Sequence, residues 1–280
     1  NARMSARSAR RYTRFPAFTR WALANLSGIA AQTAADAQRL RELGARTVEV
    51  TGNVKFDLAL PGDILRRGAQ FRARFGASRA VWVAGSTREG EESGLLAAFA
   101  AMGADAAALL VIVPRHPQRF DEVVAEARGR GFATARRSEE GDVPADVRVV
   151  VGDSMGEMLA YYAAADVAIM GGSLLAYGSQ NLIEPCALGK PVIVGPHTYN
   201  FEEAAEGAIH AGAALRVRDA RAALAAAAEL SRDSARRERM GESARAFVAA
   251  HRGAVDRLMA WLDATVAVKA SGGSDAGQGL

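Results

Sequence analysis

The sequence predicts an α/β chain whose larger part is a doubly wound parallel sheet. Short β-branched runs, "VWVAG" from Val81, "LLVIVP" from Leu109, "VRVVVGD" from Val147, "DVAIMGG" from Asp166 and "PVIVGP" from Pro191, alternate with amphipathic stretches such as "EGEESGLLAAFAAM" and "PQRFDEVVAEARGR". The runs are apolar throughout rather than at every second residue, the mark of strands covered on both faces. Strand then helix, repeated, is the signature of βαβ units. With 280 residues, half of them apolar, the chain can bury the core that such a sheet needs.

Taken in order, "RLRELGARTVEVTGNVKFD" from Arg39 reads as the end of a helix, a glycine stop and a strand, and Pro61 and Gly62 follow in a polar stretch. A domain junction is placed there. Residues 1–57 are too few to bury a core of their own, so they are expected to be the last part of a second α/β domain. The opening "NARMSARSARR", with no initiator Met, leads us to expect a gene product that begins further upstream. Residues 58–250 form the main domain. Ala-rich helices follow Ala214, a C-terminal helix covers 251–268, and the tail 269–280, "KASGGSDAGQGL", has the composition of a disordered segment. No repeat of solenoid or propeller period is present.

The formal charge of +4 is too small to make the whole molecule a polyanion binder, and no nucleic-acid partner is expected. Its distribution says more. The first acidic residue is Asp36, and before it Arg3, Arg7, Arg10, Arg11 and Arg14 recur at spacings of three and four, one stripe on a helix. That stripe is either a solvated face or a surface for anionic lipid or substrate. The single cysteine, Cys186, rules out an internal disulfide framework and fits a reducing compartment. No apolar run approaches the roughly 20 residues that span a bilayer, and the basic N-terminus has no signal-peptide core.

In an open parallel sheet, ligands bind beyond the carboxyl ends of the strands, so the residues after each strand are the candidates. After "VWVA" stand Gly85, Ser86 and Thr87, read as opening a helix, where hydroxyls and N–H groups either hold an anion or simply cap. After "LLVIV" come Pro114, Arg115, His116 and Pro117; the planar guanidinium of Arg115 suits a phosphate. Gly152 to Met158 follows "VRVVV", with Gly156 allowing close backbone approach to a base or ribose. After "DVAIM", Gly171, Gly172 and Ser173 bring backbone near a ligand, and Ser179, Gln180 and Asn181 read as the start of a helix. Glu184 then falls in its first turn, placed either to accept from two ribose hydroxyls or only to complement the helix dipole. His197 is an isolated candidate donor. Walker, GxGxxG, HExxH and Asp-x-Asp patterns and paired Cys/His sets are absent from the sequence, which favours a site without a metal.

The ordered set "NARMSARSARR", "AAQTAADAQRLRELGA", "VTGNVKFD", "AGSTREGEE", "VPRHPQRF", "GDSMGEM", "GGSLLAYGSQNLIEP" and "GPHTYNFEE" resembles the Kdo transferases, glycosyltransferases that move 3-deoxy-D-manno-octulosonic acid from CMP-Kdo to lipid A precursors. The resemblance implies a two-domain fold of GT-B type, with the acceptor held by the N-terminal and the donor by the C-terminal domain. It implies contacts to CMP from Pro114 and Arg115, from Gly156, Glu157 and Met158, and from Asn181, Leu182, Ile183 and Glu184. Gly85, Ser86, Thr87, Gly172, Ser173 and Gln180 become candidates for phosphate or sugar. Lys55 matches a lysine that stabilises the transition state, and Arg3, Arg7, Arg10 and Arg14 become candidate acceptor or membrane contacts. Where the family often has Gly-His before the Asn, this chain reads Ser179-Gln180. Also implied are an inverting, metal-independent displacement with no cofactor beyond CMP-Kdo, work at the cytoplasmic face of a bacterial inner membrane, and a general base and membrane anchor upstream of Asn1. The chain alone is then expected to be inactive. A sugar-nucleotide epimerase and a non-catalytic nucleotide-binding module are the alternatives.

Overall fold

A computed structural model describes residues 1–103, 108–139 and 141–272, with the side chains of 266–272 left aside. It divides into two compact units, one of Asn1–Leu58 with Ala250–Leu280 and the other of Ala59–Ala249.

The first unit opens with α1 (Ala6–Tyr12) and α2 (Pro16–Ala24), followed by β1 (Ile29–Ala31), α3 (Ala34–Glu42) and β2 (Val48–Val50). β1 and β2 pair in parallel. The Thr33 hydroxyl caps α3 by accepting from the Asp36 N–H, and Gly44 ends it at a φ of 103°, the left-handed conformation that only glycine adopts without strain. The arginine spacing predicts a longer helix than forms. α1 stops at Tyr12 because Pro16 disfavours helical backbone at Phe15, so Arg7, Arg10 and Arg11 lie on α1 while Arg3 and Arg14 fall outside it.

The second unit carries α4 (Ile64–Phe75), β3 (Ala80–Thr87), α5 (Glu91–Ala101), β4 (Ala108–Pro114), α6 (Phe120–Gly129), β5 (Thr134–Arg136), β6 (Val149–Val151), α7 (Met158–Ala164), β7 (Val167–Met170), α8 (Ile183–Ala187), β8 (Val192–Val194), α9 (Glu202–His210), β9 (Ala214–Arg216), α10 (Ala220–Arg232) and α11 (Ser234–His251). Among the described residues, β3 to β9 form a parallel sheet in the order β5-β6-β4-β3-β7-β8-β9. With the edge strand β5 set aside, this is the doubly wound order that reverses direction at β3, and such a reversal opens a crevice at the carboxyl ends of the strands.

Both faces of the sheet are covered, as the unbroken apolar runs require. Trp82, Leu110, Ile112, Val151 and Ile169 face Leu95, Leu96, Phe99, Val123 and Leu224 of α5, α6 and α10. On the other face α4 and α7 pack together, with the rings of Phe71 and Tyr161 edge to face at 5.1 Å. Phe99 is fully buried, and truncating a residue of that kind to Ala costs about 3–5 kcal/mol.

The chain closes with α12 (Ala254–Gly272), which belongs to the first unit. Asp57 accepts from the N–H groups of Gly253 (2.5 Å) and Val255 (2.6 Å), Phe56 stacks on His251 at 4.8 Å, and the Arg257 Nε donates to the Thr51 carbonyl at 3.0 Å. The helix continues four residues into the tail expected to be disordered, and the rest of that tail, 273–280, lies outside the described residues.

Candidate functional site

The parallel strands bring four loops to one edge of the sheet in the second unit. β3 does not end where the sequence reading placed it. Gly85 to Thr87 stay in the strand, past a bulge between Gly85 and Thr87, and α5 starts only at Glu91 behind Gly90 at a φ of 86°. Those three residues therefore do not open a helix. Ser86 takes a φ of 55°, a left-handed backbone that costs a residue with a side chain on the order of 1–3 kcal/mol. Its hydroxyl lies 3.6 Å from the Met158 sulfur, linking the first loop to the third.

Pro114 is the buried last residue of β4. The Arg115 N–H donates to the Thr87 carbonyl at 3.0 Å, while the Arg115 side chain is exposed. After β6, Gly156 is exposed with a φ of 76° and nothing crowds its Cα. Glu157 next to it is engaged: its Oε1 receives Arg67 at 2.9 Å and Arg137 at 3.1 Å. Burial pushes the Glu157 carboxyl up, but the Ser154 hydrogen bond and the two guanidinium groups outweigh it, and the acid ends below the usual carboxylate range.

The fourth loop follows β7. Gly171 and Gly172 are buried, and a Cβ on Gly171 would collide with the backbone of Ser86 and Thr87. The Ser173 hydroxyl donates to the Met170 carbonyl at 2.5 Å and accepts from the Gly195 N–H at 2.8 Å. Ser179, with a φ of 73°, donates its N–H to the Gly172 carbonyl at 2.6 Å, and the Gln180 N–H donates to Gly171 at 3.0 Å. These bonds hold 179–181 outside any helix, so α8 begins at Ile183 rather than at Ser179. Glu184 still lies in the first turn of α8, with Asn181 Nδ2 donating to its Oε1 at 3.1 Å. The Leu182 and Ile183 side chains are wholly buried in the core, which leaves only their backbone for any ligand. Burial pushes the Glu184 carboxyl up, opposed by the Asn181 hydrogen bond and by the charge of Arg115, so the arginine of one loop acts on the carboxylate of another.

His197 donates its N–H to the Ser173 carbonyl at 3.0 Å and borders the same loop. Cys186 is buried in α8 with its thiol pushed up to about 12, too weak an acid to react at neutral pH. Among the described residues no group of three or more His, Cys, Asp or Glu is placed to hold a metal ion, and no helix is long and apolar enough to cross a membrane.

Lys55 belongs to the first unit, exposed on a single 3-10 turn, Val54–Phe56, capped by the Asn53 side chain. Arg3, Arg7, Arg10, Arg11 and Arg14 are exposed there too, beside the exposed rings of Tyr12, Phe15, Phe18 and Trp21.

Sequence reading missed the residues that hold these loops. Arg67 and Arg137 reach Glu157 across 90 and 20 residues, a pairing that no local spacing reveals. Glu91 and Glu92 had a signal, two acids behind Gly90 and four residues past the Gly-Ser-Thr strand end, yet that signal says only where α5 begins.

Residues 1–58 match a family model described as 3-deoxy-D-manno-octulosonic-acid transferase (kdotransferase), and residues 99–247, more than half of the chain, match the model for glycosyl transferases group 1. A 3-deoxy-D-manno-octulosonic acid transferase of Bordetella pertussis is 49% identical over 94% of this chain, and one of Haemophilus influenzae is 36% identical over 92%. The chain spans 63% and 62% of the length of these two relatives. The crystal structure of the C-terminal CMP-Kdo binding domain of WaaA from Acinetobacter baumannii superposes with a TM-score of 0.63 at 30% identity, covering 66% of this chain and 97% of that one. Parallel sheet, family matches and the likeness to that solved domain agree on an α/β fold of GT-B type. On these matches the chain belongs to the Kdo transferases, within the group 1 glycosyl transferases.

Proposed function

We propose that the second unit binds CMP-Kdo over the carboxyl ends of β3, β4, β6 and β7, and that the chain serves the transfer of Kdo to a lipid A precursor. The observation that carries this reading is that the parallel sheet sets Arg115, directly after β4, and Glu184, in the first turn of α8 after β7, beyond the carboxyl ends of strands on either side of the reversal at β3. One cation and one acceptor that share a crevice suit a nucleoside monophosphate, whose phosphate needs the first and whose ribose hydroxyls need the second. The exposed backbone at Gly156 and the half-buried Met158 are assigned to the cytosine edge, with Glu157 tethered by its two arginines so that this turn holds its shape. Gly172, Ser173, Ser86 and Gln180 are assigned to the sugar side.

In this reading an acceptor hydroxyl attacks the anomeric carbon of Kdo from the face opposite the phosphate, the bond to CMP breaks, and configuration inverts. Arg115 meets charge that grows on the departing phosphate, which lowers the barrier only so far as the contact is stronger in the transition state than before it. For Lys55 we assign the role that the resemblance gives, stabilisation of the transition state. No base is assigned among these residues.

For the first unit we propose contact with an anionic membrane surface, at the cytoplasmic face in keeping with a lipid A acceptor. Support comes from Arg7, Arg10, Arg11 and Arg14 standing exposed beside Phe15, Phe18 and Trp21, which are 66 to 68% exposed. Basic residues interleaved with aromatic rings suit a charged headgroup layer over an apolar one.

Calorimetric titration of the purified chain with CMP tests the donor site. Saturable heat, weakened at least tenfold in an Arg115→Gln, Glu184→Gln double variant, is the expected result, from the loss of two charge-assisted contacts. No saturable heat, or equal affinity in the double variant, sinks the assignment.

A further inference from the structure

We propose that Glu91 and Glu92, consecutive in the first turn of α5, are positioning residues that set the two halves of the donor crevice in register, one acid for each loop. The inference rests on the donor reading above and adds residues that touch no ligand.

Both side chains are out of water, at 2% and 0% relative exposure, although glutamate is almost never buried unless paired. What pairs them is the crevice. Glu91 meets no cation in any described ion pair. It accepts from four backbone N–H groups instead: Oε2 from Arg88 at 2.9 Å and Gly172 at 2.6 Å, Oε1 from Leu174 at 2.9 Å and Leu175 at 3.3 Å. Three of the four belong to the loop after β7. The four-residue span from Gly172 to Leu175, whose N–H groups would otherwise be left unsatisfied, is thereby folded around one carboxylate.

Glu92 points to the other side. Its Oε1 accepts from the Thr87 hydroxyl at 2.9 Å and its Oε2 faces the Arg119 guanidinium at 3.4 Å. Thr87 also accepts the Arg115 N–H on its carbonyl. Glu92 therefore grips both ends of the segment that carries Pro114 and Arg115, through Thr87 at one end and Arg119 at the other. Since the two acids are adjacent on one rigid turn, the spacing between the Arg115 loop and the Gly172 loop is fixed before any ligand arrives, and binding does not have to order them.

A carboxylate suits this task and a carboxamide does not. Glu91→Gln turns one oxygen into an NH₂ group that confronts N–H donors on the loop, so one half of the span must swing away. Glu92→Gln keeps an acceptor for Thr87 but removes the charge that holds Arg119.

The test measures CMP affinity by calorimetry and the amide resonances of Gly172 and Leu174 by NMR, in the wild-type chain, E91Q, E92Q and a control, Val123→Ala, which thins the core under α6 far from the loops. E91Q and E92Q are each expected to weaken CMP about tenfold or more, the usual effect of losing a charge-assisted contact that shapes a site. E91Q is expected to move the Gly172 or Leu174 resonance upfield. Val123→Ala is expected to lose stability and bind as the wild type does, which separates positioning from general loosening. Should an acid variant fail to fold, Arg119→Gln reports the same grip from its other end, again with about a tenfold loss expected. Wild-type-like affinity, within twofold, in the folded variants overturns the inference and leaves the donor reading intact. Absence of CMP binding in the wild type overturns the donor reading, and this inference with it.

Discussion

Asn181 donates from Nδ2 to Glu184 Oε1 at 3.1 Å and accepts on Oδ1 from the Ile183 N–H at 3.2 Å, so one side chain both starts α8 and orients its carboxylate. Burial makes Glu184 a weaker acid than an ordinary carboxyl, against the pull of Asn181 and Arg115. Raised in the folded state, such a group costs stability as pH climbs from the unfolded value of about 4.3 through the folded one. Glu184→Gln is therefore expected to be at least as stable as the wild type at pH 7, yet to bind CMP about tenfold more weakly. The ratio of the two affinities cancels the titration of the ligand itself. It should shrink toward one as pH falls through the raised value and Glu184 takes up its proton. A ratio that stays flat from pH 7 to pH 4 would show that the carboxylate does not meet the ligand.

Arg115 offers the opposite balance. Its side chain is exposed and the loop is held through its N–H and through Arg119, so Arg115→Gln should leave stability within about 0.5 kcal/mol. CMP affinity is expected to fall about 10- to 100-fold, the loss of a charge-assisted hydrogen bond, while cytidine, which lacks the phosphate, should bind both forms alike. Equal losses for CMP and cytidine would place Arg115 away from the phosphate.

How far the residues alone reveal this molecule depends on the length of each signal. β3 and β4 stand out by the apolar runs Ala80 to Ala84 and Ala108 to Pro114; β5 (Thr134–Arg136) and β9 (Ala214–Arg216) are three-residue edge strands, too short for any period to show. The crevice residues were legible because a parallel sheet places every strand end on one edge. The groups that brace them were not, since Arg67 with Glu157 and Glu91 with Gly172 are joined by the fold across 90 and 81 residues. The arginine stripe shows the reverse error: its period is helical, but Pro16 ends the helix that the period assumes.

Ser86 gives a test of the backbone at the first loop. At a φ of 55° its side chain is tolerated and a β-branched one is not. Ser86→Gly should change stability by less than about 1 kcal/mol, since relief of strain offsets the entropy of an added glycine. Ser86→Val should cost roughly 1–3 kcal/mol more than the glycine variant. Urea midpoints decide the matter, and equal midpoints would mean that the turn is not held in the left-handed region.

Asp57 governs the first unit rather than the crevice. Both of its oxygens accept N–H groups at the entry to α12, Gly253 at 2.5 Å and Val255 at 2.6 Å, from a position 196 residues earlier in the chain. A helix start leaves such N–H groups without partners, and a carboxylate there also complements the dipole. Asp57→Ala should lower the stability of the unit by about 1–2 kcal/mol, and Asp57→Asn, which keeps one acceptor, by roughly half as much. Hydrogen exchange is the direct readout, because the Gly253 and Val255 amides should lose protection in the alanine variant while those of Trp82 and Leu110 in the second unit keep theirs. Unchanged protection at Val255 would show that α12 is held by the Trp261 ring against Gly28 and by Arg257 on Thr51, with the cap adding little.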